Sequence, residues 1–147
     1  MNTDFLLPAV TSPEVQAFLT GIVPVLSQVG VALVMLFLGG ALYAMLTPWK
    51  EIGQIREGNG AAAVAFAGVI VALAIPLAAA VNASTSIREV AIWGGASVLF
   101  QLLVFRIIDI VLTGLPARVQ EGETSAAVLL VGAKLAAALI LAAAVGG

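Results

Sequence analysis

The chain alternates long apolar runs with short polar breaks. Residues 15–49 and 58–87 contain no charged side chain, 90–105 continues apolar to about residue 115 across Arg106 and Asp109, and 124–147 is interrupted only by Lys134. A helix needs roughly 20 apolar residues to cross a bilayer core, and every one of these runs approaches or exceeds that length. The pattern predicts four transmembrane helices at 20–47, 61–82, 91–114 and 124–145. An all-α integral membrane protein follows.

Local signals sharpen the ends. Ser12-Pro13-Glu14 reads as a helix start, with a hydroxyl cap, Pro at the first position and an acid in the first turn, and Pro24 is the expected kink in the long first helix. Thr47-Pro48-Trp49-Lys50-Glu51 joins a helix stopper, an interfacial aromatic and paired charges, which marks a membrane surface. Thr113-Gly114-Leu115-Pro116-Ala117-Arg118 does the same after the third helix. Asn59, Thr124 and Ser125 are expected caps, and Trp49 and Trp93 expected interface anchors.

An offset of 64 residues lays Glu57-Gly58 on Glu121-Gly122, Gly68 on Gly132 and Val81 on Val145. The chain therefore reads as a lead-in at 1–19, a two-helix repeat at 20–82, a loop at 83–90 and a second repeat at 91–147. Each repeat returns to its starting side, so the two hairpins should lie parallel. Gly68/Ala72 and Gly132/Ala136 give the small-xxx-small spacing that allows close backbone approach. The second and fourth helices are thus the expected inner pair, and the bulky first and third the expected lipid-facing pair. Four short helices with such faces point to a homo-oligomer.

Composition agrees: 62% of the 147 residues are hydrophobic and 10% charged, more apolar surface than a soluble globule of this size can hide. Lipid is the expected solvent. Lys50, Arg56 and Arg118 lie at the hairpin tips against Arg88 on the other side, which predicts cytoplasmic tips and periplasmic termini. The first apolar segment is too long for a signal-peptide core, and no Lys or Arg precedes it, so it reads as retained. With neither Cys nor His, disulfides, zinc, haem and Cys-His catalysis are not expected, and no cofactor or metal is assigned. The net charge of −2 gives no basis for nucleic-acid binding.

The candidate chemistry sits inside the helices. Gln101, Arg106, Asp109 and Lys134 occupy apolar stretches, and at the 64-residue offset their counterparts are Phe37, Leu42, Met45 and Ile70. At about 100° per residue, Gln101, Asp109 and Arg106 fall at roughly 0°, 80° and 140° around their helix, one face that should turn from lipid. Lys134 lies at a depth from which it can reach Asp109. A charge at mid-helix costs about 2.5–3.5 kcal/mol on insertion scales, so these groups must be paired or hydrated. Two readings stay open. Asp109 and Lys134 form a buried ion pair that fixes register while Arg106 snorkels, or the cluster belongs to a hydrated path for ions, protons or a small anionic solute.

Thr47-Pro48, Ile55-Arg56, Asn59-Gly60-Ala61-Ala62, Ala65-Phe66-Ala67-Gly68, Ile75-Pro76-Leu77, Trp93-Gly94-Gly95 and Gln101-Leu102-Leu103-Val104-Phe105 closely resemble the YjfL-like inner-membrane proteins. The resemblance covers about residues 30–145. It implies a bacterial inner-membrane protein with the domain in paired copies, and an envelope-maintenance setting beside peptide-ligase-like proteins. Glu123 departs from the family's loop Asn, and the resemblance does not extend to Arg106, Asp109 or Lys134. No nucleophile-base pair or phosphate-binding loop is present, and Ser97 reads as a packing residue, so an enzyme is not expected. A channel or transporter subunit for ions or small solutes is the leading expectation. The alternative is a structural scaffold whose tips meet a cytoplasmic or membrane partner.

Overall fold

A computed structural model describes residues 12–147; the lead-in expected at 1–19 lies outside the described residues as far as residue 11. Four long helices, α1 (Pro13–Leu46), α3 (Gly60–Ala83), α4 (Ile87–Val111) and α6 (Thr124–Gly146), are each long and apolar enough to cross a membrane. Two short ones, α2 (Glu51–Arg56) and α5 (Leu115–Gln120), turn the chain at the hairpin tips. No strand occurs among the described residues, and the chain is an all-α integral membrane protein.

Helix α1 starts where its sequence signals place it: the Ser12 hydroxyl accepts from Val15 N at 3.4 Å, with Pro13 in the first turn. It runs unbroken through Pro24 for 34 residues, about 51 Å at 1.5 Å per residue. Helix α4 begins earlier than expected, inside the segment read as a loop at 83–90. Ser86 accepts from Glu89 N at 3.3 Å, and the Glu89 carboxylate reaches back to Thr85 N at 2.7 Å, one residue before the cap, a variant of the capping box.

The 64-residue offset recurs in the backbone. Residues 51–56 and 115–120 are both short helices, and the chain enters each through a left-handed residue, Lys50 (φ 43°) and Gly114 (φ 90°). Each short helix leaves through a left-handed glycine, Gly58 or Gly122. Asn59 N bonds Gln54 O at 3.0 Å, and Glu123 N bonds Arg118 O at the same distance.

The tips also touch. Asn59 caps α3 by accepting from Ala62 N at 3.0 Å, and its amide donates to Val119 O and Gln120 O at 3.0 and 3.1 Å. Glu123 caps nothing with its side chain and instead pairs with Arg118, while Ser125 donates to Glu123 at 2.7 Å. Neither Thr124 nor Ser125 is therefore the cap expected of it. The loop asparagine is a staple between hairpins, which a glutamate lacking donors cannot be. Asn59→Ala is expected to lose about 1–3 kcal/mol of stability, the cost of a lost cap plus two tip bonds, and Glu123→Ala less than about 1 kcal/mol; denaturant titration in micelles reads both.

Helix α3 is the most buried, and its broadest contact is with α6. Gly68, near the start of α3, lies against Val131 near the start of α6, and Ala79 meets Gly146 at their far ends, so the two helices run parallel. Ala72 is fully buried. The other expected packing pair faces outward: Gly132 and Ala136 are exposed, with nothing within 4 Å of where a Gly132 Cβ would be. Helix α6 is thus inner on one side only, because Leu130, Lys134 and Ala138, on the opposite side of the helix, take the contact face. Phe105 also departs from the lipid-facing role expected of its helix, for it lies in the core with Tyr43, Leu73, Leu77 and Val98. Phe37, Leu38, Leu99, Phe100 and Leu103 do face outward.

Candidate functional site

Three long helices and one tip helix converge on a buried polar cluster. Helix α1 buries little besides Gly39, Gly40 and Tyr43, and this tyrosine is the hub. Its hydroxyl donates to Glu51 Oε1 at 3.1 Å and accepts from Lys134 Nζ at 3.1 Å. Lys134 Nζ also lies 2.9 Å from Asp109 Oδ1. The ammonium sits 4.9 Å from the Tyr43 ring centroid and 5.3 Å from that of Phe105, so ring faces complete its surroundings. The Tyr43 and Phe105 rings meet edge to face at 6.0 Å. Thr47 Oγ1 donates to Tyr43 O at 2.8 Å and closes the end of α1 over the cluster.

Burial makes these contacts matter. Lys134 is 1% exposed, Glu51 5%, and the Asp109 side chain 9%. Gln101 is fully buried; its amide reaches Lys134 O at 3.4 Å, a long bond, and its Oε1 has no partner. Glu51 Oε2 and Asp109 Oδ1 are likewise buried without a hydrogen bond, the Lys134–Asp109 contact being an ion pair without hydrogen-bond alignment. Burial pushes the Glu51 carboxyl above its ordinary range, and the Tyr43 hydrogen bond and Lys134 charge pull it back in part.

The sequence places Gln101, Asp109 and Lys134 here, and the structure brings the three together. Arg106 is not among them: it is exposed. The buried arc of α4, from Ser97 and Gln101 through Phe105 to Leu102, ends at roughly 100° when Gln101 is set to zero, leaving Arg106 about 40° outside it. Arg106 and Asp109 both line two outward grooves of about 340 and 240 Å³. Sequence reasoning missed Tyr43 and Glu51. The signal that singled out the others was available, since the offset sets Tyr43 on Ile107 and Glu51 on Leu115.

A cavity of about 10 Å³, near the roughly 10–15 Å³ that one water requires, is lined by Tyr43, Trp49, Glu51, Gln54 and Asp109, with residues of α5 and α6. Asp109 and Trp49 also line the larger outward groove, so Asp109 stands between the interior and the surface at the hairpin tips. No group of three metal-ligating side chains exists among the described residues.

Residues 17–145 match the family model of the Domain of Unknown Function DUF350. The chain is 34% identical over 115 residues to the inner membrane protein YjfL (UPF0719) of Escherichia coli K12, covering 78% of this chain and 86% of that protein. It is equally similar to the YjfL protein of Escherichia coli O157:H7. No solved structure matches the chain.

Proposed function

The chain belongs to the DUF350 family, and from that premise we propose that it is a bacterial inner-membrane permeation subunit whose polar cluster carries or gates a small ion, a cation being the better fit. One observation carries this reading: two buried carboxylates, Glu51 and Asp109, share one ammonium, Lys134, and one of them borders both the interior cavity and an outward groove. An ion pair that only fixed helix register would need a single acid. A second, isolated buried charge is so costly that it is kept neutral, paired or occupied by a cation.

Assembly into a homo-oligomer fits the exposed Gly132 and Ala136, where a second helix could approach closely. Lys50, Arg56 and Arg118 at the tips support cytoplasmic tips and periplasmic termini. Cysteines placed singly at the tips and C-terminus and labelled from one side test that orientation, since the natural chain has no thiol.

The scaffold reading rests on a different observation. The Lys134 ammonium is enclosed by Tyr43, Asp109 and two rings, as in a packed lock between hairpins. Ion flux in liposomes separates the two. Permeation predicts cation flux that falls by about tenfold or more, the rate equivalent of about 1.4 kcal/mol, in both Asp109→Asn and Lys134→Ala. Absence of flux in the natural protein, with variants that are merely less stable, would leave the lock and move the search to partners at the tips.

A further inference from the structure

We propose that Glu51, Asp109 and Lys134 together hold one exchangeable proton, carried on Oε2 of Glu51 and shared with Oδ1 of Asp109 through a single water in the cavity between them. This inference names the ion for the permeation reading and rests on the same site.

The first argument is charge. With all three groups ionised the cluster carries one uncompensated negative charge, and Arg106, the nearest remaining cation on α4, is turned outward. One bound proton makes the set neutral.

The second argument is the hydrogen-bond inventory. Glu51 Oε1 already accepts from Tyr43, whereas Glu51 Oε2 is buried with no donor, and Asp109 Oδ1 has beside it only the Lys134 ammonium, at 2.9 Å and out of hydrogen-bond alignment. Two ionised carboxylate oxygens, both acceptors, cannot satisfy each other. A proton on Oε2 converts that atom into a donor, and one water then receives from it and donates to Asp109. The small cavity that both residues line has room for one water.

The groups facing Glu51 support this assignment. Tyr43 from α1, Asp109 from α4 and Lys134 from α6 are its titratable neighbours. Helix α3 contains no titratable residue, and α5 contributes Pro116, Val119 and Gln120, its Arg118 being paired outside with Glu123. Burial and the Asp109 charge favour the protonated acid, opposed by Tyr43 and Lys134. The folded chain then binds more protons at Glu51 than the unfolded one, so its contribution to stability declines as pH rises above the ordinary carboxylate range. Exchange with solvent runs past Asp109 and Trp49, which line both the cavity and the tip-side groove.

Infrared spectroscopy of the full chain in a carbonyl-free detergent tests the assignment, because a protonated carboxyl has its own C=O stretch. At neutral pH the natural protein should show one such band, and it should shift in D2O. Glu51→Gln should abolish it. Asp109→Asn should also abolish it, since Glu51 can then ionise against Lys134. Lys134→Gln should strengthen it by leaving two acids without a cation. Circular dichroism confirms that each variant stays helical. Absence of the band in the natural protein overturns the proposal, as does a band that survives Glu51→Gln. Ionised carboxyls together with a thermal stability that rises with sodium but not choline would assign the charge to a metal cation and overturn it equally. A band without flux would retain the proton site and remove the permeation reading, and flux without a band would do the reverse.

Discussion

Replacing Lys134 by Met is expected to lower the unfolding free energy by about 3–5 kcal/mol, the cost of removing one partner from a buried ion pair and stranding the other. Asp109 then loses its cation, and Tyr43, which links Lys134 to Glu51, loses the donor to its hydroxyl oxygen. The defect should be greatest at alkaline pH and shrink as pH falls, since a protonated Glu51 no longer repels the Asp109 carboxylate. Adding Asp109→Leu should recover much of the loss, for a volume-matched apolar replacement of a whole buried pair is often neutral. Reversible unfolding in mixed micelles, followed by circular dichroism at several pH values, measures all of this. A Lys134→Met protein of natural stability across the pH range would show that the ammonium is not the cation that balances this cluster.

Gly68→Ala is expected to be the second most damaging change, costing about 1–3 kcal/mol through overpacking. Its new Cβ would run into Cβ and both γ carbons of Val131. A valine in a helix has one strongly preferred rotamer, so it cannot swing aside, and α3 must move from α6 along their broadest contact. Val131→Ala in the same chain should restore most of the stability. Gly132→Ala is the control: its Cβ meets nothing within 4 Å, so the monomer should gain up to about 1 kcal/mol from helix propensity. If Gly132 lies against a second subunit, Gly132→Leu should dissociate the assembly while leaving the monomer folded, which crosslinking and size-exclusion chromatography would show.

The four spans were legible because nothing competes with twenty apolar residues for a helix in lipid. Their ends were less so. The start of α4 was written in Ser86-Ile87-Arg88-Glu89, a capping box embedded in a stretch that otherwise reads as loop. Helices α2 and α5 are six residues each, too short to carry a periodic pattern, and their existence depends on left-handed entries at Lys50 and Gly114. Within the site, the ion pair of Lys134 with Asp109 followed from depth and charge. Rotation about the helix axis was harder to read: Arg106 and Asp109 differ by only about 60° on a helical wheel, yet one is outside and the other in. Glu51 escaped notice because beside Lys50, Pro48 and Trp49 it reads as one more interfacial charge. Only the tight turn through Lys50 carries it inward to Tyr43.

The cluster draws on both halves of the chain, Tyr43 and Glu51 from the first, Asp109 and Lys134 from the second. During synthesis Lys134 is the last of these to emerge, and alone in lipid it would oppose insertion by about 2.5–3.5 kcal/mol. By then Tyr43, Glu51 and Asp109 already stand in the nascent protein, an acceptor waiting for an ammonium. The final helix thus has a docking address written in charge. A pair of first hairpins from different chains would bring together two Glu51 side chains and, with Ile70 in the place of Lys134, no buried ammonium, so the same residues that cost most to bury also discourage the wrong halves from mating.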